Sequence, residues 1–357
     1  MNTPLRVGVL SSIAHRTPPR DYGPWEQVAS TIAEGLVRRG HDVTLFATAD
    51  SRTAGRLHAV APTGYEEDRT LDAKVCEGLH IAAAMERAGE FDVISNQFDF
   101  LPLTYSRLIR TPMVTTIHGF SSERIVPVFA AYDDIARYVA ISDADRHPSL
   151  TYDATIHHGI DLSQFTFRAD PPAAGSGGHL LFLGRMHAHK GADLAIDLAE
   201  RTGLPLVLAG IVQDADYFAE RVRPRLSRTI TYVGPVGPAE RDELLGGALA
   251  LVHLIRFAEP FGLSVVESLA TGTPVITHPL GSMPEIIADG RTGFLVADMD
   301  AAVAAVSRLG SIDRAQCRAD VQRRFTAERM VDDYEALFTR VVAESAASRS
   351  SSSGTST

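Results

Sequence analysis

Along this chain, short apolar runs alternate with longer segments in which apolar residues return at helical spacing. In the first half the runs fall at 6–11, 43–48, 92–95, 113–117, 138–141 and 155–157, and helical periodicity marks 25–39 and 74–88. Gly40 follows the first of these segments as the glycine expected to close a helix, and the second stops at Gly89. Several runs are apolar without alternation, the pattern of strands covered by helices on both faces. Repeated strand–helix alternation predicts an α/β domain with a mainly parallel sheet.

The stretch Asp-Pro-Pro-Ala-Ala-Gly-Ser-Gly-Gly at 170–178 interrupts this pattern, and its proline and glycine content predicts a linker. The alternation then restarts, with strands predicted at 179–183, 206–209, 229–233, 250–254 and 274–277. Helices are predicted at 192–201, 216–226, 238–245 and 263–270, and again from 314 to about 347. The serine-rich tail 348–357 reads as disordered. Residues 1–168 and 177–326 are thus expected to form two β/α domains joined by a short linker, with a cleft between them. In such sheets ligands bind beyond the carboxyl ends of the strands.

Bulk properties narrow the class. The chain has 357 residues, 45% hydrophobic and 22% charged, a size suited to two ordinary domains. No apolar run is long enough for a transmembrane helix, which needs about 18 residues or more. The first residues lead straight into a strand pattern, so no signal peptide is expected. A net charge of −10 argues against binding nucleic acid or an anionic membrane. Cys76 and Cys317 are isolated, as reduced thiols of a cytoplasmic protein would be.

The densest chemistry lies at Glu259-Pro260-Phe261-Gly262-Leu263, with Glu267 two turns into the helix that follows. Gly262 lets backbone approach a ligand closely, and free N–H groups at a helix start attract anions. The spacing offers an anion site flanked by two carboxylates that can accept hydrogen bonds from hydroxyls, the layout of a nucleoside diphosphate sugar. The competing reading is a strand-to-helix turn with two solvated glutamates. Gly184-Arg185 and Lys190-Gly191 bracket one strand-end loop, and two such cations suit a diphosphate, although a solvated basic loop has the same sequence. His118-Gly119 also ends a strand, where the histidine could meet a ligand or bond to backbone. Gly281, Ser282 and Glu285 form a further strand-end turn, open to nucleotide contact or to a plain capping role. The motifs G-x-G-x-x-G in the first loop, G-x-x-x-x-G-K-[ST] and G-x-S-x-G are missing, against a dinucleotide enzyme, a P-loop NTPase and an α/β-hydrolase. His187 and His189 lack further ligands at metal spacing, so no metal site is expected.

Taken together, these residues resemble a family-4 retaining glycosyltransferase of the GT-B architecture. The resemblance rests on the Glu259–Glu267 block, read as the family's E-x7-E signature. It is supported by Ala270-Thr271-Gly272-Thr273-Pro274, by Pro284-Glu285, and by Asp289-Gly290-Arg291-Thr292-Gly293-Phe294. Gly184-Arg185 with Lys190-Gly191 matches the phosphate loop, and His118-Gly119, Ser142 and His158-Gly159-Ile160-Asp161 match the first half. The resemblance implies two Rossmann-like domains facing across the cleft, acceptor domain first, and a final helix at 327–347 returning to the first domain. It implies that Arg185 and Lys190 neutralise a donor diphosphate beside Gly184. Glu259, with backbone groups of Phe261, Gly262 and Leu263, would bind the sugar, and Glu267 would hold the ribose. His118 would lie near the reacting centre, and Gly23 in the first loop near the donor.

The implied activity is transfer of a hexose from a GDP-mannose, UDP-glucose or UDP-N-acetylglucosamine type of donor to a hydroxyl acceptor. The acceptor is expected to be a soluble small molecule or glycan, and neither cofactor nor metal is needed. A nucleotide-sugar epimerase of the same fold and a binding protein without turnover are the alternatives; the oligomeric state is open. Two departures stand out. Family members often have Gly-Gly where this chain has Gly23-Pro24, and proline has no N–H to donate. Asn96 and Gln97 stand where relatives often carry histidine.

Overall fold

A computed structural model describes residues 3–20, 22–120, 122–170 and 178–353. The expected linker therefore falls almost wholly outside the described residues, as do the last residues of the tail. The chain divides into two compact units. The first takes the described parts of Met1–Ile141, Arg146–Gly159 and Ala327–Thr357; the second takes Ser142–Asp145 and Ile160–Thr326.

The first unit is built on strands β1 (Arg6–Leu10), β2 (Asp42–Phe46), β3 (Arg56–His58), β4 (Val93–Asn96), β5 (Met113–Ile117), β6 (Arg137–Ala140) and β7 (Tyr152–Thr155). They form one sheet in the order β3-β2-β1-β4-β5-β6-β7, every pair parallel. The order reverses at β1, so the loops leaving β1 and β4 open a crevice at the carboxyl edge, where ligands bind in such sheets.

One face of the sheet is covered by the helix Pro24–Arg38 and by the final helix. Val28, Ile32 and Leu36 of the first, and Met330, Val331, Tyr334, Leu337, Phe338 and Val341 of the second, enter one buried cluster with Val7, Val9 and Val114. Both sets follow helical spacing, so burial on one stripe is what makes each segment a helix here. At Gly35 the two helices touch: a Cβ there would lie 2.5 Å from Val331 Cγ2. The opposite face packs Ile81, Ala84 and Met85 of the helix Ala73–Glu86 against Leu10, Phe46 and Ile94. Gly40 has φ +87°, the left-handed closure expected after the first helix.

The second unit repeats the scheme with β8 (His179–Leu183), β9 (Leu206–Ala209), β10 (Ile230–Gly234), β11 (Ala248–His253), β12 (Val275–Thr277) and β13 (Gly293–Leu295). Its sheet runs β10-β9-β8-β11-β12-β13, again parallel throughout, with the order reversing at β8. No described helix is long and apolar enough to cross a membrane.

Four local expectations change. The segment expected as a helix over 216–226 is instead a short α-turn Ala215–Tyr217, a π-turn Phe218–Val222 and a 3-10 turn Arg223–Arg225. Pro224 lacks the N–H that a continuous helix would need there. The helix expected from 314 onward is two helices, Arg314–Arg324 and Ala327–Ser353. Between them Phe325 O accepts from Ile160 N at 2.9 Å, diverting the backbone into a parallel bridge. The final helix also continues past Ala347, with the Ser348 and Ser350 hydroxyls donating to Glu344 O and Ala347 O at 3.0 and 2.7 Å. β7 lies a few residues before the run expected at 155–157.

The contact of Gly35 with buried Val331 yields a stability test. Gly35→Ala should lower the unfolding free energy by about 1–3 kcal/mol in urea titrations, because Val331 has no room to retreat.

Candidate active site

Loops after β8 and β11 carry the charged cluster of the second unit. After β8, Gly184 donates its N–H to Ala209 O at 3.0 Å, and a Cβ on Gly210 would lie only 2.0 Å from Gly184 O, so two loop backbones touch here. The chain then makes a 3-10 turn, Ala188–Lys190, capped by the His187 ring, whose Nδ1 accepts from His189 N at 3.2 Å. The H-x-H pair thus closes a turn. Gly191 (φ +75°) packs its Cα against Leu254 O, which a Cβ would approach to 2.1 Å.

The two loops are stitched by Arg256. Its guanidinium donates to both Asp193 carboxylate oxygens at 2.7 and 2.8 Å and to Ala188 O at 2.9 Å, while its N–H donates to His189 O at 2.8 Å. Tyr217 OH donates to the same carboxylate at 2.7 Å. Burial raises the Asp193 carboxyl, yet the bonds from Arg256 and Tyr217 outweigh it and hold the group below the usual range. This bidentate clamp fixes the turn that carries Lys190 against the exit of β11.

Lys190 Nζ reaches Glu259 Oε2 at 2.5 Å and lies 4.7 Å from the centre of the Phe257 ring. His253, the last residue of β11, places Nε2 3.4 Å from the same oxygen. Glu259 is 8% exposed. Burial pushes its carboxyl up, but His253 and Lys190 together reverse this and hold it at about 2. His253 itself is lowered by burial.

The turn bearing Glu259 is held from behind. A Cβ on Gly281 (φ +60°) would strike Glu259 O and N at 2.3 and 2.4 Å. Ser282 N donates to Glu259 O at 2.9 Å, and Ser282 Oγ to Phe261 O at 2.7 Å. Ser282 stands before the short helix Met283–Ile286 without a side-chain capping bond, so its hydroxyl braces the Glu259 turn in place of the expected capping role. Glu285 accepts from Asp143 N at 3.0 Å and Ala144 N at 2.6 Å, tying Ser142–Asp145 into this unit.

Gly262 (φ +91°, ψ +63°) turns the chain into the helix Leu263–Ala270, whose first N–H groups have no intrahelical acceptor. Phe261 is buried with its ring edge-on to Phe325 at 5.9 Å. Glu267 is buried one face along and meets Arg241 at 3.1 Å; desolvation raises its carboxyl and Arg241 only partly offsets this. Arg185 is turned to Gln213 Oε1 at 2.7 Å. The structure therefore joins Lys190 with Glu259 directly, while Arg185 and Glu267 have separate partners.

In the first unit, Gly23 (φ +154°) precedes the helix Pro24–Arg38, and a side chain there would meet Glu26 and Pro19. Pro24 takes the first helical position, where a missing N–H costs no helical bond. The buried Glu26 accepts from His15 N at 3.2 Å and braces the loop after β1; desolvation raises its carboxyl above the usual range. His118, just after β5, stacks on Trp25 with ring centres 5.4 Å apart and 22° between planes. Its Nε2 meets Gln97 Oε1 at 3.0 Å and its Nδ1 faces His158 Nε2 at 3.4 Å. Burial pushes the imidazole down to about 3.

Sequence reasoning missed His253, Arg241, Arg256 and the part played by Trp25 and Gln97. Arg256 and His253 sit within a few residues of Glu259, so proximity to the motif was a usable signal. Arg241 carried none.

Comparison with known proteins gives two family-model matches: "Glycosyltransferase Family 4" over residues 26–164 and "Glycosyl transferases group 1" over residues 163–320. A glycogen synthase of Mycobacterium tuberculosis is 33% identical over 196 residues, 53% of this chain and 46% of that enzyme; the chain thus matches less than half the length of that relative. A D-inositol 3-phosphate glycosyltransferase of Mycolicibacterium smegmatis is 25% identical, covering 83% of this chain and 81% of that protein. Among solved structures, Anabaena HepE in complex with UDP and glucose matches 94% of this chain and 99% of its own, with TM-score 0.72 and 17% identity.

The depressed Glu259 carboxyl predicts an acid-sensitive contribution to stability. A group held at about 2 when folded, against 4.5 when free, stabilises the fold above about pH 4.5 and loses that effect as pH falls towards 2. The stability gap between the wild type and Glu259→Gln, read from urea midpoints, should therefore close over that interval. A gap independent of pH would contradict the assignment.

Proposed function

Because this chain belongs to glycosyltransferase family 4 and carries the GT-B fold of two Rossmann-like units, we propose that it moves a hexose from a nucleoside diphosphate sugar to a hydroxyl acceptor, retaining anomeric configuration and without a metal ion. The observation that carries this reading is the part-buried Lys190–Glu259 contact at the start of the Leu263 helix.

In this reading Lys190 and Arg185 bind the diphosphate beside Gly184, and the backbone N–H groups at the start of the Leu263 helix add positive potential. Positive charge fixed in place before reaction favours the charge that grows on the leaving diphosphate. Glu259 stays ionised and accepts hydrogen bonds from sugar hydroxyls. Glu267, kept in place by Arg241, accepts from the ribose. The C1–O bond to the diphosphate breaks as the bond from C1 to the acceptor oxygen forms on the same face. The acceptor proton passes to the departing phosphate oxygen, which needs no enzyme carboxylate as nucleophile. The first unit is assigned the acceptor, a soluble molecule with a free hydroxyl. Donors of the GDP-mannose, UDP-glucose and UDP-N-acetylglucosamine types all fit these groups.

The test is turnover of these donors over an acceptor panel, with the product's anomeric configuration read by NMR. The expected outcome is a retained linkage, a rate unchanged by EDTA, and a kcat reduced by about 10²-fold or more in Lys190→Ala. An inverted product, or activity abolished by EDTA and restored by Mg²⁺, would overturn this mechanism. Epimerised donor without transfer would replace it with the epimerase reading.

A further inference from the structure

A hydrogen-bonded chain of buried side chains runs through the first unit to His118. It starts on the final helix, where Tyr334 OH pairs with Thr116 Oγ1 at 2.7 Å. Thr116 Oγ1 also accepts from Gln97 Nε2 at 2.9 Å, and Ser95 Oγ accepts from the same amide nitrogen at 3.0 Å. Ser95, Gln97, Thr116 and Tyr334 are each completely buried.

Both N–H bonds of Gln97 go to hydroxyl oxygens, and its carbonyl oxygen faces His118 Nε2 at 3.0 Å. An oxygen can only accept there, so His118 must carry its hydrogen on Nε2. In a neutral ring Nδ1 is then the lone-pair nitrogen, and it faces His158 Nε2 at 3.4 Å. Trp25 covers one face of the ring. Both ring nitrogens are thus turned to protein groups.

We infer that Gln97 is a positioning residue that holds His118 as a neutral, Nε2-protonated imidazole, so that His118 shapes the sugar site without exchanging a proton. The inference rests on the transferase reading above and on the resemblance that puts His118 near the reacting centre. Its chemical logic is electrostatic. A retaining transfer builds positive charge at the sugar ring, so an imidazolium next to it would oppose the transition state. An uncharged glutamine, where a carboxylate would stabilise the imidazolium, keeps the ring neutral. Among the described residues, the titratable ring recorded against His118 is that of His158, itself buried and pushed well below its usual range, so it adds no charge. Burial acts on His118 in the same direction.

Gln97→Glu tests this in two arms. By ¹⁵N NMR of labelled histidine, His118 of the wild type should stay neutral with hydrogen on Nε2 from about pH 5 to 8, across the range where a free histidine titrates. In Gln97→Glu the imidazolium should appear within that range. In the kinetic arm, kcat of the variant should fall by about tenfold below the new ionisation and recover above it, with KM changed less than about twofold. Gln97→Met, which removes the acceptor without adding charge, should release the tautomer while adding no new ionisation to the rate profile. Wild-type His118 protonated on Nδ1, or titrating near the ordinary value, would overturn the inference. So would a Gln97→Glu profile superimposable on the wild type. The NMR arm needs no turnover, so it decides the tautomer whether or not the transferase reading holds.

Discussion

Everything at the candidate donor site depends on keeping two opposite charges, Lys190 and Glu259, together and largely out of water. Such a pair loses hydration on both sides, and its attraction offsets the loss only when geometry is held tightly. The chain provides that hold through backbone. Gly191 lets one loop touch Leu254 O, and Gly281 lets another pass behind Glu259 at distances that no side chain would permit. The Arg256–Asp193 clamp then joins the loops after β8 and β11. Because these loops leave neighbouring strands at the point where sheet order reverses, the fold itself sets the distance between the charges.

The first unit handles polarity in the opposite way. Its strand ends carry neutral groups, Gln97, Thr116 and Ser95, met by Tyr334 of the final helix, each buried and each hydrogen-bonded. A satisfied network of this kind fixes orientation without introducing charge. The final helix supplies Tyr334, so packing at Gly35 and Val331 also secures the polar chain that ends on His118. The two units share a sheet plan and differ in what their carboxyl edges offer: fixed charge in one, a neutral and oriented ring in the other.

Much of this was legible in the sequence. Unbroken apolar runs such as Leu180 to Phe182 announced parallel strands, and Gly40 announced the end of a helix. The block from Glu259 to Glu267 marked the site because its spacing couples a tight glycine turn to a helix start. Three-residue strands such as Arg56–His58 and Gly293–Leu295 were invisible, being too short to show a period. The break at Phe325 was hidden because its cause, pairing with Ile160, lies far away in sequence. The same holds for Arg241 on Glu267 and for Gln97 on His118: the partners are tertiary, and no local pattern encodes them.

The most direct measurement is calorimetric titration of Glu259→Gln with a bare nucleoside diphosphate and with the matching nucleotide sugar. If Lys190 is held by Glu259 until a diphosphate arrives, the variant should bind the bare diphosphate at least as tightly as the wild type and the nucleotide sugar more weakly. Equal weakening of both ligands would show that the carboxylate does not divide its work between holding the lysine and grasping the sugar, and would contradict the account.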